Sequence, residues 1–200
     1  MKKILSLALC ALLVLSLAAC GQSAPSPSGE PTGEIEGATL HHVEIDIADY
    51  GVIKLELDSA AAPITVANFL KLAGEGYYDG LTFHRIMEGF MMQGGAPRSI
   101  DDASETIYGE FAINGWNNPI SHVRGVISMA RANDPDSGSS QFFIVHEDST
   151  FLDGSYAAFG HVTDGLEVVD AVCENSRPTD NNGTIPAEEQ PVIVSVTVID

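Results

Sequence analysis

The sequence predicts a mainly β fold in which an antiparallel sheet closes into a barrel and is accompanied by two α-helices. Three observations lead to this prediction. Short segments with alternating or β-branched apolar residues recur through most of the chain, only two segments repeat their apolar residues at helical spacing, and strands and helices do not alternate in a βαβ rhythm. About 160 residues follow position 38, which is enough for one domain with a substantial core.

The first predicted elements are a β-hairpin and a helix. Apolar and polar residues alternate over 42–57 on both sides of a turn at 49–51, which predicts two strands with one buried face. A proline then opens the segment 63–73, where apolar residues recur at helical spacing, and Gly74 follows it. Because proline suits the first helical turn and glycine the end, this segment predicts an amphipathic helix.

The rest of the domain consists of short predicted strands, a second helix and a C-terminal strand. Residues 192–198 are strongly β-branched, and we expect this last strand to pair with the N-terminal hairpin. The other predicted strands are 82–86, 91–94, 126–129, 141–145 and 158–162, and the second helix is 166–173.

The N-terminus predicts an export signal rather than part of the fold. A basic start at 1–3 precedes an apolar run over 4–19 that barely reaches the ~17 residues a membrane-spanning helix needs. The run ends in small residues that lead into Cys20, and this pattern resembles a bacterial lipobox, which implies lipidation of Cys20. The alternative is an ordinary cleaved signal or an uncleaved membrane helix. Because of the lipobox-like pattern, we expect residues 1–19 to be a lipoprotein signal peptide.

Residues 20–38 predict a flexible tether. After Cys20 this segment is rich in Gly, Pro, Ser, Glu and Thr and has almost no apolar residues, so it cannot bury enough surface to fold. A lipoprotein cysteine receives several acyl chains, which satisfies the requirement for stable anchoring. We expect residues 39–200 to form the folded domain, held outside the cytoplasm at the cell membrane by Cys20.

Charge and cysteine content limit the partners and the chemistry. The formal net charge is −19 at pH 7, and such an acidic chain makes nucleic acid an improbable partner because phosphate binding needs clustered Lys and Arg. Of the three cysteines, Cys10 lies in the predicted signal and Cys20 at the anchor, which leaves Cys173 alone in the domain. We expect Cys173 to be a buried structural residue, and we expect a monomer.

Two blocks combine clustered apolar residues with single cations or amides. Residues 83–95 read FHRIMEGFMMQGG, and residues 139–144 read SSQFFI. Together they resemble the cyclophilins, a family of peptidyl-prolyl isomerases, and the resemblance extends over 43–198. It implies a closed eight-stranded antiparallel β-barrel capped by two α-helices. It also implies catalysis of cis/trans exchange about Xaa-Pro bonds in proline-containing polypeptides, without a metal or cofactor.

The resemblance implies roles for individual residues. Arg85 matches the family's catalytic arginine, whose fork of donors can hold the substrate carbonyl and the prolyl nitrogen as it loses conjugation. Gln93 matches the glutamine that hydrogen-bonds the substrate backbone, and Phe90 completes the catalytic set as part of an apolar proline pocket. The residues expected to bind substrate are Met91, Ala130, Arg131, Gln141, Phe143, Phe151, Leu152 and Tyr156.

Three of these positions depart from the common family pattern. Phe151 stands where many members carry tryptophan, Tyr156 where histidine is common, and Arg131 where asparagine is common. Losing the indole N–H removes a hydrogen-bond donor, so we expect weak inhibition by cyclosporin. Arg131 adds a second cation near the rim of the groove, which predicts a preference for acidic residues upstream of proline.

Two functions remain open at this point. The favoured one is an isomerase that accelerates the folding of exported proteins. The alternative is a module that binds proline-containing segments, as a chaperone would, and turns them over only incidentally. The other residue groups offer no competing chemistry, because the loop 134–138 departs from a calcium-binding loop and the adjacent His41 and His42 face opposite sides of a strand.

Overall fold

A computed structural model describes residues 39–200 of the chain, and within them eight strands form one antiparallel sheet. Single turns of 3-10 helix lie in the connections at Ile100–Asp102, Ala112–Asn114, Thr150–Leu152 and Ala187–Glu189. The two α-helices are α1 (Pro63–Gly74) and α2 (Leu166–Asn175). The strands are β1 (Leu40–Ile47), β2 (Gly51–Asp58), β3 (Phe83–Met87), β4 (Met91–Gly94), β5 (Val126–Met129), β6 (Phe142–Val145), β7 (Ala157–Asp164) and β8 (Ile193–Val198).

The sheet curls towards a barrel but does not close through a full ladder. Its strand order is β3-β4-β6-β5-β7-β2-β1-β8, so β3 and β8 are the two edges. They meet only near an isolated bridge between Thr82 and Val192. The segment 183–185 instead lines the outer edge of β3, where the Ile86 N–H donates to the Gly183 carbonyl and the Ile185 N–H donates to the His84 carbonyl. The eight predicted strands, their antiparallel pairing and the two predicted helices are confirmed. The prediction of a fully closed barrel was overstated, because the sheet is curled but partly open.

The N-terminal hairpin follows its predicted alternation. In β1 the side chains of Val43, Ile45 and Ile47 are buried, and β2 pairs with β1 so that Ile45 lies opposite Ile53. The turn places Asp49 at φ 67°, a left-handed conformation that aspartate tolerates better than most residues. β8 pairs with the other edge of β1, as the sequence predicted.

Helix α1 begins at Pro63 and is capped by a carboxylate distant in sequence. The residue before it, Ala62, offers no side-chain cap. Instead, the fully buried Glu110 accepts hydrogen bonds from the backbone N–H groups of Ile64 and Thr65 at 2.9 and 2.8 Å, and from the Thr65 hydroxyl at 2.7 Å. These bonds satisfy amide groups that a helix leaves unpaired at its N-terminus. Burial raises the pKa of the Glu110 carboxyl, against the opposing effect of these bonds.

Two apolar clusters occupy opposite faces of the sheet. The main core contains an aromatic group in which Phe69 lies 5.0 Å from Tyr78, 5.4 Å from Phe142 and 5.3 Å from Phe159, measured between ring centroids. The neighbouring Phe143 belongs to a smaller cluster. Because successive strand residues point to opposite faces, β6 sends Phe142 into the main core and Phe143 towards a surface pocket.

Cys173 is buried in α2, as predicted, and is the only cysteine of residues 39–200. Burial raises the pKa of its thiol to about 12, so it stays protonated and unreactive at neutral pH. The predicted signal peptide, Cys20 and the tether lie outside the described residues. Within the described part of the chain, none of the helices has the length and apolar character needed to cross a membrane.

Candidate active site

The β3–β4 hairpin brings Arg85 and Gln93 together. The two residues are cross-strand partners, and Arg85 Nη1 donates to Gln93 Oε1 at 3.3 Å. Arg85 Nε donates to the carbonyl of Asn182 at 2.7 Å, which fixes one side of the guanidinium. The same guanidinium lies 5.9 Å from the ring centroid of Phe90, which the hairpin turn carries. The positive charge of Arg85 is therefore held beside the aromatic ring of Phe90.

An apolar pocket opens beside this arginine. Met91 of β4, Phe143 of β6 and Leu152 are almost fully buried and form its floor and walls. The cavity measures about 120 Å³. It brings together nine residues of the predicted site, which are Arg85, Phe90, Met91, Gln93, Ala130, Arg131, Phe143, Leu152 and Tyr156.

A second cavity of about 250 Å³ continues the pocket into a groove. It shares Gln93, Ala130 and Arg131 with the first cavity and adds Gln141, whose Oε1 accepts a hydrogen bond from Gln93 Nε2 at 3.0 Å. The groove thus has an apolar end and an end lined by two glutamine amides, two serines and residues 130–132. Phe151 does not line either cavity. The residue is 73% exposed, and its ring lies beside that of Phe90, with 5.6 Å between the ring centroids.

Arg131 is held firmly in the wall that the two cavities share. Its guanidinium lies 4.8 Å from the ring centroid of Tyr156 and 5.1 Å from that of Phe111. Its Nε donates to the carbonyl of Ser155 at 2.8 Å, and Nη1 donates to the carbonyl of Ala132 at 2.9 Å. None of these partners is an acidic group, so its positive charge is not neutralised by them.

Comparison with known proteins identifies the family to which this arrangement belongs. The family model described as cyclophilin type peptidyl-prolyl cis-trans isomerase matches residues 42–198. The chain is a member of the cyclophilin family. Because the match covers nearly all of the described domain, the fold and the pocket both lie within it.

Curated relatives and solved structures agree with this family. Peptidyl-prolyl cis-trans isomerase B of Bacillus subtilis (strain 168) is 49% identical over 121 residues, covering 60% of this chain and 82% of the relative. The peptidyl-prolyl cis-trans isomerase of Synechococcus elongatus is 43% identical over 129 residues, covering 64% and 86%. A cyclophilin-type isomerase of Cryptosporidium parvum superposes with a TM-score of 0.69 at 29% identity, covering 81% of this chain and 99% of that one. The same protein was also crystallised in the presence of the dipeptide Ala-Pro, and that structure superposes with a TM-score of 0.68 at 30% identity.

This cyclophilin is therefore a peptidyl-prolyl cis-trans isomerase. Rotation about a peptide bond is opposed by a barrier of ~18–20 kcal/mol, because it breaks amide resonance. A pocket that holds the proline ring, beside donors that stabilise the twisted amide, lowers that barrier without forming a covalent bond. The cyclophilin site offers both parts, an apolar pocket and an adjacent guanidinium.

A buried histidine network supports the pocket from behind, and sequence reasoning missed it. In this cyclophilin His122 Nδ1 lies 2.8 Å from Asp153 Oδ1, and Nε2 lies 2.9 Å from Ser128 Oγ. The arrangement resembles a Ser-His-Asp triad, but Ser128 is fully buried and cannot reach a substrate. The His122 ring instead stacks on Phe143 at 6.0 Å and 16°. Burial lowers the pKa of His122 and so favours its neutral form.

His84, which precedes Arg85 in β3, takes no part in the cyclophilin pocket. It does not line either cavity of the groove. Burial, and secondarily the nearby Arg85 charge, lowers the pKa of His84. Among the described residues, no group of three or more His, Cys, Asp or Glu side chains could hold a metal ion.

Proposed function

We propose that this cyclophilin accelerates Xaa-Pro isomerisation in exported polypeptides while it is tethered to a membrane through Cys20. The observation that carries the proposal is the Arg85 guanidinium beside the apolar pocket. Within residues 39–200, the only hydrogen bond that its Nη2 makes is to the weak acceptor Met87 Sδ at 3.5 Å. A donor without a strong protein acceptor can be used by a substrate oxygen.

In the proposed mechanism, the proline ring enters the pocket between Phe90, Met91, Phe143 and Leu152. The pyrrolidine ring has no N–H to satisfy, so apolar walls suit it. Arg85 then donates to the carbonyl oxygen of the substrate and interacts with the prolyl nitrogen as it becomes pyramidal. These interactions are stronger in the twisted state than in either planar isomer, which is the requirement for catalysis.

The substrate backbone runs along the amide-lined part of the groove in this proposal. Gln93 and Gln141 present donors and acceptors there, and residues 130–132 also line this part of the groove. Such a groove reads the proline and the backbone more than particular side chains. The Cryptosporidium parvum relative crystallised in the presence of Ala-Pro supports a proline-containing ligand.

The location of the enzyme is proposed from the N-terminal sequence. The basic start, the apolar run and the small residues before Cys20 support export and lipidation, and the composition of 20–38 supports a flexible tether. At a membrane surface outside the cytoplasm the enzyme would meet newly exported chains, in which uncatalysed prolyl isomerisation takes tens to hundreds of seconds.

A refolding assay tests this function. Residues 39–200 are added to an exported protein whose slow refolding phase is limited by prolyl isomerisation. The proposal predicts that the slow phase shortens with enzyme concentration, whereas a fast phase independent of proline does not change. A higher refolding yield with an unchanged slow-phase rate would instead support the binding module and contradict the proposal.

A further inference from the structure

His146 lies directly behind the turn that carries Phe90, but outside the groove. It follows the last residue of β6, and its side chain is only 9% exposed. Its Nδ1 accepts a hydrogen bond from the Gly89 backbone N–H at 2.9 Å. Its own backbone N–H donates to the Phe90 carbonyl at 2.9 Å. One residue therefore binds the peptide groups of two consecutive turn residues.

The hydrogen-bond partners of the His146 ring indicate which of its nitrogens carries the proton. A backbone N–H can only donate, so Nδ1 must be unprotonated to accept from Gly89. The proton of the neutral ring then lies on Nε2, which faces Asp170 Oδ1 at 3.3 Å. Asp170 is itself held by both terminal nitrogens of Arg124 at 2.7 and 2.8 Å. Arg124 Nη1 also donates to the His146 backbone carbonyl at 2.9 Å, so Arg124 holds both Asp170 and the main chain of His146.

The turn held by His146 determines where the Phe90 ring lies. Gly89 adopts φ 77°, and the Phe90 N–H closes the turn on the Met87 carbonyl at 3.0 Å. A change in the Gly89–Phe90 peptide orientation would swing the Phe90 side chain relative to the pocket. Phe90 borders the pocket and lies beside Arg85 and Phe151, so such a movement would alter both the apolar wall and the surroundings of the guanidinium.

We propose that His146 is a positioning residue for the isomerase reaction, since its neutral ring holds the Gly89–Phe90 turn so that Phe90 closes the proline pocket. The inference rests on the proposed role of Phe90 as a pocket wall. His146 touches neither cavity of the groove, so its influence on the reaction passes through the turn.

Two substitutions test the contributions of the two ring nitrogens of His146 separately. In His146→Asn the amide oxygen can take the place of Nδ1 and accept from Gly89, whereas the contact with Asp170 is lost. In His146→Gln the longer amide can reach Asp170, whereas the acceptor for Gly89 is lost. The inference predicts that the Asn variant keeps kcat/KM within about twofold of wild type. The Gln variant should lose about three- to tenfold, because loss of one hydrogen bond costs about that factor.

The loss in the Gln variant should appear mainly as a higher KM, because the pocket wall contacts the proline in the ground state as well as in the transition state. His161→Asn, an exposed histidine of β7, is the matched control and should leave both constants unchanged. Equal activity of the Asn and Gln variants, or a larger loss in the Asn variant, would overturn the inference.

Phe90→Ala distinguishes failure of this inference from failure of the proposed function. If the wild type does not accelerate isomerisation, the proposed function fails. If Phe90→Ala retains full kcat/KM, the isomerase stands, but Phe90 is not a pocket wall and the inference fails. If Phe90→Ala is impaired and His146→Gln is not, only the inference fails. A nitrogen-15 NMR spectrum of the wild-type ring provides a test that needs no variant to fold. The inference predicts an unprotonated Nδ1 and a protonated Nε2, and the opposite tautomer would overturn it.

Discussion

Arg85 differs in its partners from three other cations of the domain. Lys54, Arg98 and Arg124 each form an ion pair with an aspartate. Arg85 is held by a carbonyl, an amide oxygen and two thioether sulfurs, although the chain carries 28 acidic residues against nine basic ones. Neutral partners orient the guanidinium without cancelling its charge. At the residue scale, this unneutralised charge beside an apolar pocket is the feature that suits it to a polarised amide.

Arg131 allows a prediction about substrate preference. Its charge borders the groove and its hydrogen bonds go to carbonyls, so it can attract a carboxylate upstream of proline. Arg131→Ala should remove a preference for Glu over Lys at that position, changing the ratio of the two kcat/KM values by about two- to fivefold, the range of a partly screened ion pair. Peptide series with varied upstream residues measure the ratio. An unchanged ratio in Arg131→Ala, with the exposed Arg177→Ala as control, would contradict the prediction.

Individual site residues were predictable from sequence when a short motif contained them. Arg85, Phe90 and Gln93 lie within one hairpin, so their spacing in the sequence already predicts that they lie close together in the structure. Phe151 was predicted from the same family resemblance but lies outside this hairpin, and the structure places its ring outside both cavities. The weak inhibition by cyclosporin expected from its missing indole N–H stays a prediction. His122 was missed, because its partners Ser128 and Asp153 are brought to it by tertiary packing that has no local signature.

At the element scale, α1 depends on a cap that its own sequence does not provide. Glu110→Gln should lower the free energy of unfolding by about 1–3 kcal/mol, because an amide cannot accept all three hydrogen bonds as a carboxylate does. Chemical denaturation of residues 39–200 measures the loss. The exposed Glu105→Gln is the control and should have almost no effect. A Glu110→Gln protein as stable as wild type would show that the carboxylate does not stabilise the helix.

The link between α2 and the end of β6 should weaken in acid. Hydrogen bonds from Arg124 hold the pKa of Asp170 below its ordinary value. A carboxyl with a pKa lowered by folding contributes stability above the unfolded pKa, and that contribution is lost as the pH falls through the folded pKa. The difference in melting temperature between wild type and Asp170→Asn should therefore be largest near neutrality and should shrink below about pH 4.

Thermal unfolding between pH 3 and pH 7, roughly the range that spans aspartate titration, checks this dependence. The exposed Asp101→Asn serves as the control. A difference for Asp170→Asn that stays constant over the whole range would contradict the account.

The elements themselves were largely predictable because their signals are local. Alternation in β1 and β2, and the proline and glycine at the ends of α1, lie within single segments. The distant cap on α1 was not predictable, since Glu110 lies 45 residues from Thr65. The incomplete closure of the sheet has a similar origin. The open edge of the sheet depends on pairing between the segment 183–185 and β3. No periodicity in that segment predicts this pairing.

At the scale of the whole molecule, the protein we propose has an acidic isomerase domain held by a lipid anchor. A net charge of −19 gives the chain no electrostatic attraction to anionic lipid headgroups, so membrane association would rest on the acyl chains. Cys20→Ser should therefore move the protein from the membrane fraction to the soluble fraction of a bacterial host, while the isomerase activity per molecule stays unchanged. Cell fractionation measures the shift, with Cys10→Ser as the control. A Cys20→Ser protein that stays membrane-bound after its apolar run 4–19 has been removed would contradict lipid anchoring at this residue.

The most direct test of the central claim is the effect of Arg85→Ala on catalysis and binding of the same Xaa-Pro peptide by residues 39–200. We predict that kcat/KM falls by at least about a hundredfold, as for removal of a key electrostatic donor, whereas the dissociation constant of the peptide rises less than about tenfold. Arg177→Ala should leave both quantities unchanged. If Arg85→Ala keeps the full rate, or loses binding and catalysis in equal measure, Arg85 does not act on the twisted amide and the account is wrong.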